Sequence, residues 1–91
     1  MQRGIRDLKH YTYYTKAVCA SRIDFDMDEE RRVHNLAFTG GCDGNLKALG
    51  ILCEGERAEV LVEKLLGVRC DLKPTSCSDQ LARSLRQALE A

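Results

Sequence analysis

The period of the apolar residues changes once along this chain, and that change limits the fold more than any other feature. Ile23, Phe25 and Met27 alternate with Asp24, Asp26 and Asp28, the two-residue period of a strand with one apolar and one wet face. Tyr11, Tyr13, Tyr14 and Val18 are strand-type residues ahead of them. The spacing predicts a long strand or strand pair from Tyr11 to Met27, interrupted or bulged near Cys19-Ala20-Ser21. The polar run Asp28-Glu29-Glu30-Arg31 makes a turn, and Val33, Leu36 and Phe38 form a further strand ending at Thr39-Gly40-Gly41. Beyond Gly41 the period becomes helical. Leu46, Leu49 and Cys53 share a stripe that ends at Glu54-Gly55, and Ala58, Leu61, Val62 and Leu65 share a second, closed by Gly67. Leu81, Ala82, Leu85 and Leu89 form a third, with Arg83 and Arg86 outward. Strands first and helices after describe an α+β fold: an antiparallel meander of two or three strands followed by three helices packed on one face. Neither layer buries its apolar side alone.

A chain of 91 residues, 44% of them apolar, supports one domain with a single modest core. The domain is expected over residues 11–91, behind a loose lead-in over residues 1–10. Fourteen basic residues balance fourteen acidic ones, so net charge draws the chain neither to nucleic acid nor to anionic lipid. Tyr11, Tyr13 and Tyr14, beside Lys9 and Lys16, have the makings of a base-stacking surface, but a half-buried strand accounts for them better. The start, MQRGIRDLK, carries charge and no apolar h-region, so neither a signal peptide nor a membrane span is expected and a cytoplasmic location is. In that compartment five cysteines, an odd number, argue against a disulfide framework and for metal binding or thiol chemistry.

Four of the cysteines fall at element ends or in a connector. Ser76 and Asp79 have the spacing of a capping box, and Pro74 breaks any earlier helix, so Cys77 opens the last helix at the positive end of its dipole, a setting that favours thiolate. Cys42 follows Gly40-Gly41 where a strand gives way to a helix; Cys19 lies at the strand break and Cys70 in the connector from Val68 to Thr75. If these ends converge at one edge of the sheet, four soft sulfurs suit tetrahedral zinc or an iron–sulfur cluster. Cys53, by contrast, belongs to the inward stripe of its helix and reads as a core residue. Gly40 and Gly41 admit two readings, a backbone nest for a phosphate or carboxylate and a plain strand-to-helix turn with positive φ; Lys47 is misplaced for a Walker lysine. His10 and His34 read as solvent-facing, and no nucleophile–base constellation or general acid stands out. A thiol redox role remains an alternative, with Cys42 or Cys77 reactive and Cys70 resolving.

At GGCDGN and TSCSDQLARSL the chain resembles the small bacterial TSCPD-domain proteins, whose signature reads Thr-Ser-Cys-Pro-Asp-Gln-Leu-Ala and whose relatives close some ribonucleotide reductases. The resemblance runs from about Tyr13 to Leu89. It implies metal binding through Cys19, Cys42, Cys70 and Cys77, zinc first and an iron–sulfur cluster second. It also implies an accessory module, more a binding protein than an enzyme, with a protein partner connected with nucleotide reduction and room for a homo-oligomer. Ser78 stands where the signature has proline, and Asp43 where proline is usual after Gly-Gly-Cys; both residues still suit a helix start. More distantly, the layout is similar to iron–sulfur scaffolds of the IscU type, with Cys19, Cys42 and Cys77 at the three cysteine positions. Ser21 and Ser76 replace that family's aspartate and histidine, and Cys70 offers a fourth sulfur. A carrier or assembly role follows as an alternative.

Overall fold

The structure, a computed structural model, describes residues 8–16, 18, 20–41, 43–69 and 75–90. Three antiparallel strands, β1 (Lys9–Tyr14), β2 (Ala20–Met27) and β3 (Val33–Gly40), form one sheet in chain order. Helices α1 (Asp43–Cys53), α2 (Ala58–Leu65) and α3 (Cys77–Glu90) follow. The α+β fold expected from the sequence is the fold observed. The first strand starts two residues earlier than the alternation indicates, because Lys9 and His10 pair with Met27 and Asp26.

The alternation in β2 does what its period dictates. Ile23, Phe25 and Met27 are buried, and Tyr11 stacks on Phe25 with ring centroids 5.3 Å apart, close to the favoured separation for offset rings. These side chains meet Cys53, Ala58, Leu61, Leu81, Leu85 and Ala88 in one core, so the helices cover the apolar face. α2 packs on α3, α3 reaches β2, and α1 lies along β3. Gly50 permits that last approach: a Cβ there would stand 3.2 Å from the Leu36 carbonyl oxygen.

Two bulges adjust the parity of the strands. Ala20 pairs with Gly40 and Arg22 with Thr39, leaving Ser21 as an extra residue, so Ala20 is buried together with Ile23 despite their odd separation. This is the irregularity expected near Cys19-Ala20-Ser21. The second bulge lies in β3, between the pairs Asp24–Ala37 and Asp26–His34. Asn35 takes φ 55° there, which lets Val33 and then Leu36 and Phe38 all turn toward the core. Its backbone N–H donates to Glu54 Oε1 and its side-chain amide to Asp26 Oδ2, both at 2.9 Å. Asparagine tolerates this left-handed backbone; β-branched residues do not. Asn35→Val is therefore expected to lower the unfolding free energy by about 1–3 kcal/mol, whereas Asn35→Gly loses only its side-chain bond; urea unfolding of the two variants separates backbone strain from side-chain loss.

Candidate metal centre

The start of α3 is a buried polar knot. Thr75, Ser76, Asp79 and Gln80 are all buried, Asp79 to 1% exposure. Ser76 is the N-cap: its Oγ accepts the Asp79 N–H at 3.0 Å and donates to the Val68 carbonyl at 2.6 Å, while its own carbonyl accepts the first helical bond, from the Gln80 N–H at 2.8 Å. Asp79 Oδ1 accepts the Gly67 N–H at 2.6 Å, and Oδ2 accepts the Thr75 hydroxyl and Arg83 Nε, the latter at 2.9 Å. The Gln80 amide donates to Thr75 Oγ1 at 3.0 Å and accepts the Lys16 N–H at 3.2 Å. Among the described residues no buried side-chain polar atom lacks a partner. Burial raises the Asp79 carboxyl pKa, but the Thr75 hydroxyl, the Gly67 N–H and Arg83 outweigh it and hold the group below the usual carboxylate value.

The spacing of Ser76 and Asp79 gives the N-cap correctly, but the reciprocal bond of a capping box is replaced: the Asp79 carboxylate ties the end of α2 to the start of α3, a role that the spacing does not show. Nor does it show that of Gln80, whose two bonds join the connection after β1 to the same turn. With Leu81 and Ala82 also fully buried, Cys77 and Ser78 are the two half-exposed side chains of this turn. Cys77 is the first residue of α3 and carries a free thiol. The serine in place of a signature proline leaves the helix start intact, and α1 likewise begins at Asp43.

Of the four expected sulfur ligands, Cys77 is described; Cys19, Cys42 and Cys70 lie outside the described residues. Their chain neighbours are placed. Ala20 pairs with Gly40, and Gly41 sits so close that a Cβ on it would stand 3.1 Å from the Ala20 nitrogen and 2.6 Å from Leu46 Cδ1. Gly40 and Gly41 take φ 81° and 88°, which fits the strand-to-helix turn. Val68 is bonded to Ser76 and Lys16 to Gln80. The described residues beside Cys19 and Cys42 thus meet each other, Val68 meets Ser76 just before Cys77, and the Lys16–Gln80 bond joins the connection after β1 to the start of α3. Among the described residues alone, no group of three or more His, Cys, Asp or Glu side chains is arranged to hold a metal ion.

Cys53 is a core residue, as its stripe predicts: it is 1% exposed, and burial, aided by Glu56, pushes its thiol up to about 11. It is an inert thiol at neutral pH. His10 is solvent-facing as expected, whereas His34 is half-buried; each ring lies between two carboxylates, Asp24 and Asp26 for His10, Asp28 and Glu54 for His34.

The family model of the TSCPD domain matches residues 4–89. The chain belongs to the TSCPD-domain family. Searches of curated proteins and of solved structures return no match. In this TSCPD domain the signature has a physical reading: Thr75, Ser76, Asp79, Gln80, Leu81 and Ala82 are the buried frame of a helix start, and the cysteine is the side chain that the frame presents.

Asp79→Ala removes the partner of the exposed Gly67 N–H and orphans the buried Thr75 hydroxyl, the latter at a cost of about 1–3 kcal/mol. Arg83 is half exposed, and Arg83→Ala is expected to cost under about 1 kcal/mol. Because the Asp79 pKa is depressed on folding, its contribution is present above the ordinary carboxylate value, about 3.9, and is lost as pH falls through the lower folded value. Chemical denaturation of wild type and Asp79→Asn between pH 7 and acid should show a shallower slope in the variant, the remainder coming from Asp24, Asp26, Asp28 and Glu54, whose values are also lowered.

Proposed function

We propose that this TSCPD domain is a small metal-binding accessory module that holds one metal centre through Cys19, Cys42, Cys70 and Cys77. The observation that carries the reading is the pairwise linkage of the flanking segments: Ala20 against Gly41, Val68 bonded to Ser76, and Lys16 bonded to Gln80. Cys19, Cys42 and Cys70 adjoin the described residues Ala20, Gly41 and Arg69 in sequence. Four thiolates are a soft donor set that fits zinc or an iron–sulfur cluster and fits hard cations poorly. A coordination sphere filled by four protein sulfurs favours a structural centre over a labile transfer site, which places zinc first and the cluster second. The role extends to a cytoplasmic accessory part in nucleotide reduction, by way of a protein partner, on the strength of the family resemblance.

The test is elemental analysis of anaerobically purified protein, with an absorption spectrum of the same sample, for wild type and Cys77→Ser. Near-stoichiometric zinc or iron that falls in the variant is the expected result, and the spectrum then separates zinc from a cluster. Absence of metal in both proteins, with a melting temperature indifferent to chelators, overturns the reading in favour of thiol chemistry. Chelation of the loaded protein is expected to lower its melting temperature, since the metal binds the folded chain better than the unfolded one.

A further inference from the structure

The residues after α1 are joined to the head of β3 by backbone bonds, Gly55 N–H to the Val33 carbonyl at 2.7 Å and Val33 N–H to the Glu56 carbonyl at 2.9 Å, and beside these one imidazole bridges two carboxylates. His34 Nδ1 lies 2.6 Å from Glu54 Oε2, and Nε2 lies 2.8 Å from Asp28 Oδ2. Ionised carboxylates only accept hydrogen bonds, so both contacts require an N–H on the ring, and only the imidazolium has two. The three residues come from three segments: Asp28 from the β2–β3 turn, His34 from β3, and Glu54 from the residues just after α1. Each carboxylate is also fixed to backbone through its other oxygen. Asp28 Oδ1 accepts the N–H groups of Glu30 and Arg32, and Glu54 Oε1 accepts that of Asn35, all at 2.9 Å.

The remaining charges around the ring are known. Asp26 on β2 adds a third negative group, drawn toward His10 and the Asn35 amide. The Arg32 guanidinium is engaged by the Gly55 carbonyl and by Glu30. A neutral His34 would keep one N–H for two anionic partners. Asp28 is 13% exposed and held by two backbone donors, whereas the Glu54 side chain is 50% exposed; Glu54 is therefore the partner released. Glu54 and Asn35 stand at one end of an open groove of about 640 Å³ between α1 and β3, lined otherwise by Leu36, Phe38, Leu46 and Ile51 among others.

We propose that His34 is a proton-operated latch on the Glu54 side chain: protonated, it bridges Glu54 to Asp28 of the β2–β3 turn; neutral, it releases the Glu54 carboxylate at that end of the α1–β3 groove, while the backbone bonds of the junction stay in place. The hydrogen bond to Asp28, opposed by burial and aided by Glu54, raises the His34 pKa. A raised value means that the tie is fully made below the ordinary histidine value, about 6.5, and is lost as pH rises through the higher folded value. On the acid side Asp28 and Glu54 are both held below their ordinary values, Asp28 by His34 and backbone donors against burial, Glu54 chiefly by the Asn35 N–H, so the latch opens upward in pH.

An NMR titration of the full chain tests this through three reporters: the His34 ring, the Glu54 carboxyl carbon and the Asn35 amide. All three are expected to move with one midpoint above the ordinary histidine value. His10→Gln should leave that shared transition in place. Glu54→Gln, which removes one anion and keeps Asp28, should lower the His34 midpoint and abolish the Asn35 transition. A His34 ring that titrates at or below the ordinary value overturns the proposal. So does a Glu54 carboxyl or Asn35 amide that stays flat while His34 titrates.

Discussion

An ionised carboxylate inside a protein is tolerated only when its oxygens are fully used, because the interior strengthens every bond it makes and penalises every bond it lacks. Asp79 meets that condition with three donors from three places: the second residue after α2, the turn before α3 and the next turn of α3 itself. The consequence is positional. A helix that packs on a sheet through Leu81 and Leu85 is free to slide along its axis at modest cost; one whose first turn is bonded to Gly67, Val68 and Lys16 is not. The position of Cys77 follows from that fixed first turn.

The sequence carried the architecture because its periods are clean. Alternation over Ile23 to Met27 and helical stripes in the second half state which residues face inward, and those residues form the core. Register was less accessible. Val33 and Leu36 cannot both face inward on a regular strand, and only a bulge at Asn35 reconciles them; an asparagine that tolerates positive φ is the single local hint. The same gap explains the histidines. On the sequence His10 and Asp26 are sixteen residues apart and unrelated, yet the pairing of β1 with β2 sets them directly opposite one another. Read one strand at a time, an acidic stripe and a lone histidine are two solvated features; paired, they are one neutralised face.

The candidate site divides in the same way. Capping chemistry is local in sequence, so the N-cap at Ser76 and the place of Cys77 were legible. The buried partners of Asp79 and Gln80 come from Gly67 and Lys16, at chain separations that no local pattern encodes. Cysteine chemistry also splits by place rather than by residue type. Cys53 is removed from water within the core, and its thiol is accordingly suppressed; Cys77 is left half exposed by a frame of buried neighbours. A stripe position predicts the first and a helix start the second, which is why both were read correctly from spacing.

The ties that gather the cysteine-flanking segments pass through backbone groups, Ser76, Gln80 and the glycine turn, and none of them involves a sulfur. This separation has an energetic meaning. Ordering a residue costs about 1–2 kcal/mol of backbone entropy, and a site assembled only by its ligand spends binding free energy on that ordering. Here the sheet end, the glycine turn and the start of α3 are held by polar bonds and by the core. Under the proposed function, a ligand at the thiols would spend less of its binding free energy on ordering the described flanks, Ala20, Gly41, Val68 and Ser76. The frame residues of the signature and its cysteine are in this sense one unit: Thr75, Ser76, Asp79 and Gln80 supply the fixed position from which the Cys77 thiol is presented.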